Sequence, residues 1–157
     1  MATGVYEPIV PWSPTTLTKG TVALPEKASQ TFKKGALVIF NGGYVEEAGT
    51  APSTVRFIAT EDAHNGGSDG TYECILWPIG VDDWWEASCE DAVAVADHGA
   101  VYGLVKDATT GNWFVDDADT ADQVEIIRFV QTPRLGNVGD TKARAIIKFQ
   151  QGNIASA

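Results

Sequence analysis

Residues 100–149 read AVYGLVKDATTGNWFVDDADTADQVEIIRFVQTPRLGNVGDTKARAIIKF, and the fold class follows from this stretch. Four short apolar runs stand out, Val101–Lys106, Asn112–Asp116, Val124–Val130 and Ala143–Phe149. Gly, Asp, Thr, Asn and Pro separate them, and these residues preset or tolerate turn geometry. In the last run Ala143, Ala145, Ile147 and Phe149 fall on one side, with Arg144 and Lys148 on the other. A period of two predicts a strand with one buried and one wet face. Val124–Val130 alternates less cleanly, because Ile126, Ile127, Phe129 and Val130 are apolar around Arg128. Such a strand is expected to be covered on both faces, as inside a barrel or sandwich.

Working upstream, Gly35 opens the continuous apolar run Ala36-Leu37-Val38-Ile39-Phe40, which predicts a buried strand. Asn41-Gly42-Gly43 then separates it from Tyr44-Val45-Glu46, a hairpin signal because Asn and Gly accept the positive φ of a tight turn. Thr54–Thr60 alternates with Val55, Phe57 and Ala59 inward, and Tyr72–Pro78 alternates Tyr72, Cys74 and Leu76 against Glu73, Ile75 and Trp77. The Gly-rich tip His64–Gly70 has no P-loop spacing and reads as a plain loop. On a strand, Trp84 and Trp85 point to opposite faces, one into the core and one toward a contact surface. Ala92–Ala96 reads as a small-residue strand, and Asp97-His98-Gly99 as the turn into residues 100–149.

Residues 1–30 differ in kind. Pro8, Pro11, Pro14 and Pro25 exclude helix and interrupt ladders, so the segment is expected to be extended. Tyr6, Ile9, Val10 and Trp12 are too apolar to be left in water. Two destinations satisfy them: the sheet edge of a neighbouring molecule, or the chain's own barrel. The expected organisation is an extended N-terminal arm over 1–30 and a small all-β barrel over 31–157. Deleting residues 2–30 is accordingly expected to leave a folded barrel.

A chain of 157 residues with 44% hydrophobic and 20% charged residues suits one globular domain. No apolar run approaches the ~18 residues of a membrane span. The start MATGVYEPIVPW lacks a basic region followed by an apolar core, so a soluble chain made in a cytoplasm is expected. Cys74 and Cys89 define no disulfide framework and read as free thiols. The net charge of −10 is uneven: residues 1–38 sum to +2, residues 39–125 to −16 and residues 126–157 to +4. An acidic middle argues against nucleic-acid binding, which needs a basic surface.

Catalytic chemistry finds little support. His64 and His98 accompany no nucleophile signature, and no cluster has zinc-ligand spacing. Asp82-Asp83 and Asp116-Asp117 diverge if on strands and belong to no calcium loop. No catalytic residue, metal or cofactor is assigned, and a non-enzymatic protein is expected.

The frame Phe32-Lys33-Lys34-Gly35-Ala36-Leu37-Val38 is similar to the opening of the barrel in head-decoration (capsid-stabilising, cement) proteins of tailed bacteriophages. Val101–Leu104, Gly111–Asp116, an apolar strand, Gly139-Asp140 and then Arg144–Phe149 resemble such proteins in order and spacing, over residues 31–154. The resemblance implies a β-barrel or β-tulip that binds the outside of an assembled shell, commonly as a homotrimer. It implies the major capsid protein as partner, a place on the virion exterior after assembly in the host cytoplasm, and no membrane. Tyr6, Pro8, Ile9, Val10, Pro11 and Trp12 would form the capsid-contact arm, and Trp84 and Trp85 the self-association surface. Two rival readings remain: a carbohydrate- or receptor-binding module using Trp12, Trp84, Trp85 or Trp113, and a hydrolase using Asp97-His98.

Overall fold

The computed structural model describes residues 6–12, 19–49, 52, 54–90, 94–118, 123–129, 143–150 and 154. The described chain is all-β, with one turn of 3₁₀ helix at Val95–Asp97. The strands are β1 (Val10–Pro11), β2 (Val22–Pro25), β3 (Leu37–Asn41), β4 (Tyr44–Glu47), β5 (Phe57–Ala59), β6 (Glu73–Pro78), β7 (Trp85–Cys89), β8 (Val101–Lys106), β9 (Trp113–Asp116), β10 (Val124–Phe129) and β11 (Arg144–Phe149). The predicted Asn41–Tyr44 hairpin is present, with Gly42-Gly43 as its two-residue turn.

Strands β7 to β11 form a closed ring in the order β7-β11-β10-β8-β9, which returns to β7 through a parallel pair. Strands β2 to β6 follow the order β2-β6-β5-β3-β4, and a parallel bridge from Glu26 to Val45 returns β4 to the end of β2. The two orders are the same when the strands of each half are counted from its first. The chain is therefore two copies of one five-stranded topology, laid end to end.

The match extends to single hydrogen bonds. Lys27 N–H donates to Val45 O at 2.9 Å in the first barrel, and Glu90 N–H to Val115 O at 2.9 Å in the second. Gly35 N–H donates to Ala59 O at 2.8 Å, and Gly99 N–H to Ile126 O at 2.7 Å. Glu26 N–H reaches Tyr72 O at 2.8 Å where Cys89 N–H reaches Ala143 O at 2.9 Å. The strand registers then make Glu73 the counterpart of Arg144, Ile75 of Ile146, and Ala23 of Glu86.

One continuous core runs through both barrels, and the largest side chains within it are Trp85, Trp113, Phe32 and Phe149. At the junction Trp77 meets Trp85 edge-on, with ring centroids 6.2 Å apart. Glu47 of the first barrel accepts a hydrogen bond from Trp113 Nε1 at 3.1 Å and pairs with Lys106. Buried Gln123 accepts from Leu104 N–H and donates to Pro52 O.

Several expectations need correction. A boundary between residues 30 and 31 would cut the first barrel open, because β2 lies on the N-terminal side of it and pairs with β6. The predicted strand Ala92–Ala96 is instead 3₁₀ helix from Val95, while residues 92 and 93 lie outside the described residues. Asp97 explains that turn, since its carboxylate accepts Ala94 N–H at 2.7 Å and closes the chain on itself. Ile58, expected to face outward, is as buried as Phe57 and Ala59. Val130 and Gly139-Asp140 also lie outside the described residues.

Gly35 and Gly99 hold equivalent positions at φ of +85° and +79°, yet their surroundings differ. A Cβ on Gly35 would lie 2.6 Å from Ile9 N and 2.8 Å from Pro8 Cβ, whereas one on Gly99 meets nothing within 4 Å. Gly99→Ala is therefore expected to cost about 1 kcal/mol, the strain of a left-handed alanine. Gly35→Ala is expected to cost about 3 kcal/mol, because backbone must also shift. Urea midpoints of the two variants check this, and equal losses would contradict it.

Candidate interaction surface

Residues 6–12 are laid along the body as a strap. Strand β1 pairs antiparallel with β7, Val10 opposite Glu86 and Pro11 opposite Trp85, and Trp12 N–H donates to Trp84 O at 2.9 Å. The same edge of β7 carries β9 further along, at Ser88 and Cys89. The strap thus fills the part of the edge that ring closure leaves over. Pro8 and Ile9 press on Gly35 of the first barrel, so the segment ties both barrels together.

Its polar groups are met in turn. Arg144, 4% exposed, donates from Nη1 to Glu7 O at 3.2 Å and Ser88 Oγ at 3.1 Å. From Nη2 it donates to Pro8 O at 2.9 Å and Glu86 O at 3.1 Å. Its Nε lies 3.5 Å from Glu86 Oε1. Burial lowers the pKa of Arg144, and the carboxylates of Glu86 and Glu7 oppose that shift. Asn112 Nδ2 donates to Tyr6 O at 2.9 Å, and Glu7 N–H to Ser88 Oγ at 3.1 Å. The Tyr6 ring stacks on Phe114 with centroids 4.3 Å apart, and Arg128 lies over the Trp12 ring at 5.7 Å. Beneath Trp12, Ile146 is fully buried.

These contacts settle which destination the strap takes within a single chain. Of the two destinations the sequence leaves open for Tyr6, Pro8, Ile9, Val10, Pro11 and Trp12, a neighbour's sheet edge or the chain's own barrel, the second is the one seen here, with Ile9 fully buried. The face of β11 expected to be wet is dry at Arg144 and Ile146, because the strap covers it. Residues 1–5 and 13–18 of the arm lie outside the described residues.

The tryptophan pair divides as expected, with Trp85 fully buried and Trp84 37% exposed. Trp85 has no surface to offer a second subunit, which removes it from the proposed self-association contact and leaves Trp84. Trp113 is also inside. A sugar-stacking platform therefore lacks two of its four candidate rings at the surface.

Several other reactive groups among the described residues hold the fold. Both thiols are free and buried, and desolvation pushes each up to about 12. Glu26, 2% exposed, accepts His64 N–H at 2.9 Å and Asn65 N–H at 3.2 Å, and lies 3.0 Å from His64 Nδ1, which anchors the Gly-rich loop. Asp83 accepts Gly80 N–H at 2.7 Å and pairs with Lys19, and Asp116 accepts Ala118 N–H at 2.9 Å. Asp97 accepts the Tyr102 hydroxyl at 2.7 Å, and His98 lies edge-on to Phe129 at 5.0 Å. That hydrogen bond is the main reason the Tyr102 pKa rises to about 12. Among the described residues no three His, Cys, Asp or Glu side chains converge on a metal-sized space.

Among the described residues, Phe40, Tyr72, Ile75, Val81, Trp84 and Val101 are the large hydrophobic side chains left exposed. No family model, curated protein or solved structure matches this chain.

Proposed function

We propose that this chain is a structural protein of a tailed-phage head, which binds the outer surface of the assembled shell and stabilises it. The observation that supports this reading best is the contrast between buried charged groups and exposed apolar ones. Buried Glu26, Asp83, Glu86 and Arg144 are held in internal contacts, while six large apolar side chains among the described residues face out. A body so built is suited to docking rather than to bond chemistry. The resemblance of residues 32–38 and 101–149 to head-decoration proteins supplies the class of partner, a major capsid protein.

Its action would be mass action on a finished lattice. A protein that binds only the assembled shell stabilises it by its binding free energy. Association into a homo-oligomer, with Trp84 at the contact, would multiply the shell contacts and raise avidity. About 800 Å² per partner is enough for a specific contact.

Particles of the host phage stripped of this protein provide the test. Purified chain is expected to co-sediment with them saturably and to raise the temperature at which they release DNA by several degrees. Binding to glycan arrays with none to particles would favour a receptor-binding module and overturn the reading.

A further inference from the structure

The doubled topology allows the two barrels to be compared place by place, and one difference is large. In the second barrel the outer face of β7 and β11 lies under the strap, which buries Arg144 and Ile146. The counterparts in the first barrel are Glu73 and Ile75. Both are exposed, Ile75 at 42%, and Tyr72 beside them is 47% exposed. No strand among the described residues pairs with this edge of β2.

The backbone there is poised as it is in β7. Glu26 N–H bonds Tyr72 O, so strand alternation turns Leu24 and Val22 toward β6 and directs the N–H and C=O of Ala23 to the open side. Ala23 is exposed, and its counterpart Glu86 is the residue that Val10 pairs with. Within the described residues the same slot thus occurs twice, once filled and once without a pairing strand.

We infer that the β2 edge is a docking slot for an extended segment of a partner protein that carries a basic residue and, four residues later, a large apolar one. The spacing comes from the filled slot. Val10 lies opposite Glu86, Trp12 covers Ile146 two residues on, and Pro8, two residues before, has its carbonyl on Arg144. Transferred to the first barrel, the Trp12 position lies over Ile75 and the Pro8 position beside Glu73. Glu73 reverses the charge of Arg144, so the occupant must bring a cation where the strap brings carbonyl oxygens. The strap itself is a poor occupant, because it has proline where the cation belongs. Naming the partner as a shell protein rests on the reading above, whereas the slot does not.

The full chain is titrated with an N-acetylated, C-amidated peptide, Tyr-Glu-Lys-Ile-Val-Pro-Trp, which is the strap sequence with lysine in the place of Pro8. Saturable binding is expected, with amide shifts centred on Ala23, and at least tenfold weaker binding for the same peptide with the native proline. Ala23→Pro removes the open N–H without touching the β6 ladder, and Glu73→Lys reverses the charge. Each is expected to weaken binding at least tenfold with an unchanged melting temperature. If Ala23→Pro fails to fold, Ile75→Ser carries the same expectation. No binding, or equal binding by the variants, overturns the slot. Concentration-dependent dimerisation that Ala23→Pro abolishes also overturns it, in favour of a second copy as occupant. Shell co-sedimentation separates the two readings. Wild-type and Glu73→Lys chains binding shells equally refutes the slot as the shell contact, whereas no shell binding by wild type refutes the proposed function.

Discussion

Arg144→Ala is expected to lower unfolding free energy by about 3–5 kcal/mol, the usual loss when one member of a buried charged pair is removed. The side chain satisfies the carbonyls of Glu7, Pro8 and Glu86 and the hydroxyl of Ser88, and it accompanies a nearly buried Glu86 carboxylate. Alanine takes one donor from each of these acceptors and leaves the carboxylate without its counterion. Arg144→Lys is expected to recover little, since an ammonium cannot reproduce the planar fork that spans two strands and the strap. Guanidinium unfolding gives the magnitude. Hydrogen exchange at Trp12 and Val10 reports whether the strap has lifted, and protection there unchanged from wild type would show that β1 pairing alone holds it.

The second large effect concerns truncation. Removing residues 2–30 is expected to destroy cooperative unfolding of the first barrel, contrary to what the proline-rich composition of this region suggests. The deletion takes away β2, which pairs with β6 along four residues, and buried Glu26, which both bridges to β4 and anchors the loop at His64. Removing residues 2–12 alone spares both. That shorter deletion is expected to fold with reduced stability, because burying Ile9 alone is worth roughly 1.5–3 kcal/mol. Near-ultraviolet circular dichroism and dye binding distinguish the cases. A sharp thermal transition in the longer deletion would contradict the role given to β2.

Much of the architecture was legible locally. Val101–Lys106 and the runs near 113–116, 124–129 and 144–149 correspond to β8–β11, because short apolar runs between turn residues leave few alternatives. The doubling was not legible. The β3–β4 hairpin turns in two residues, whereas six residues separate β8 from β9, so any constant repeat length is lost. Equivalent places also hold unlike side chains, such as Glu26 and Cys89, or Glu73 and Arg144. What they share is backbone bonding, which leaves little trace in residue type outside Gly35-Ala36 and Gly99-Ala100. Arg144 misled for a related reason. A charge inside an alternating run marks a wet face until a distant segment covers it. The prolines of residues 1–30 did announce an extended path, but nothing local to Pro8 or Pro11 names the strand they lie against.

The strap and its main anchor stand far apart in the order of synthesis. Arg144 reaches Pro8 O across 136 positions of the chain. At the ribosome, where about 5–20 residues are added each second, the strap waits on the order of ten seconds before its anchor exists. The first barrel, whose last strand ends at Pro78, has time to form meanwhile, and the apolar strap must remain harmless beside it. The strap can be fastened only after β11 has been made, and a nascent chain halted before β11 is expected to leave residues 6–12 open to proteases.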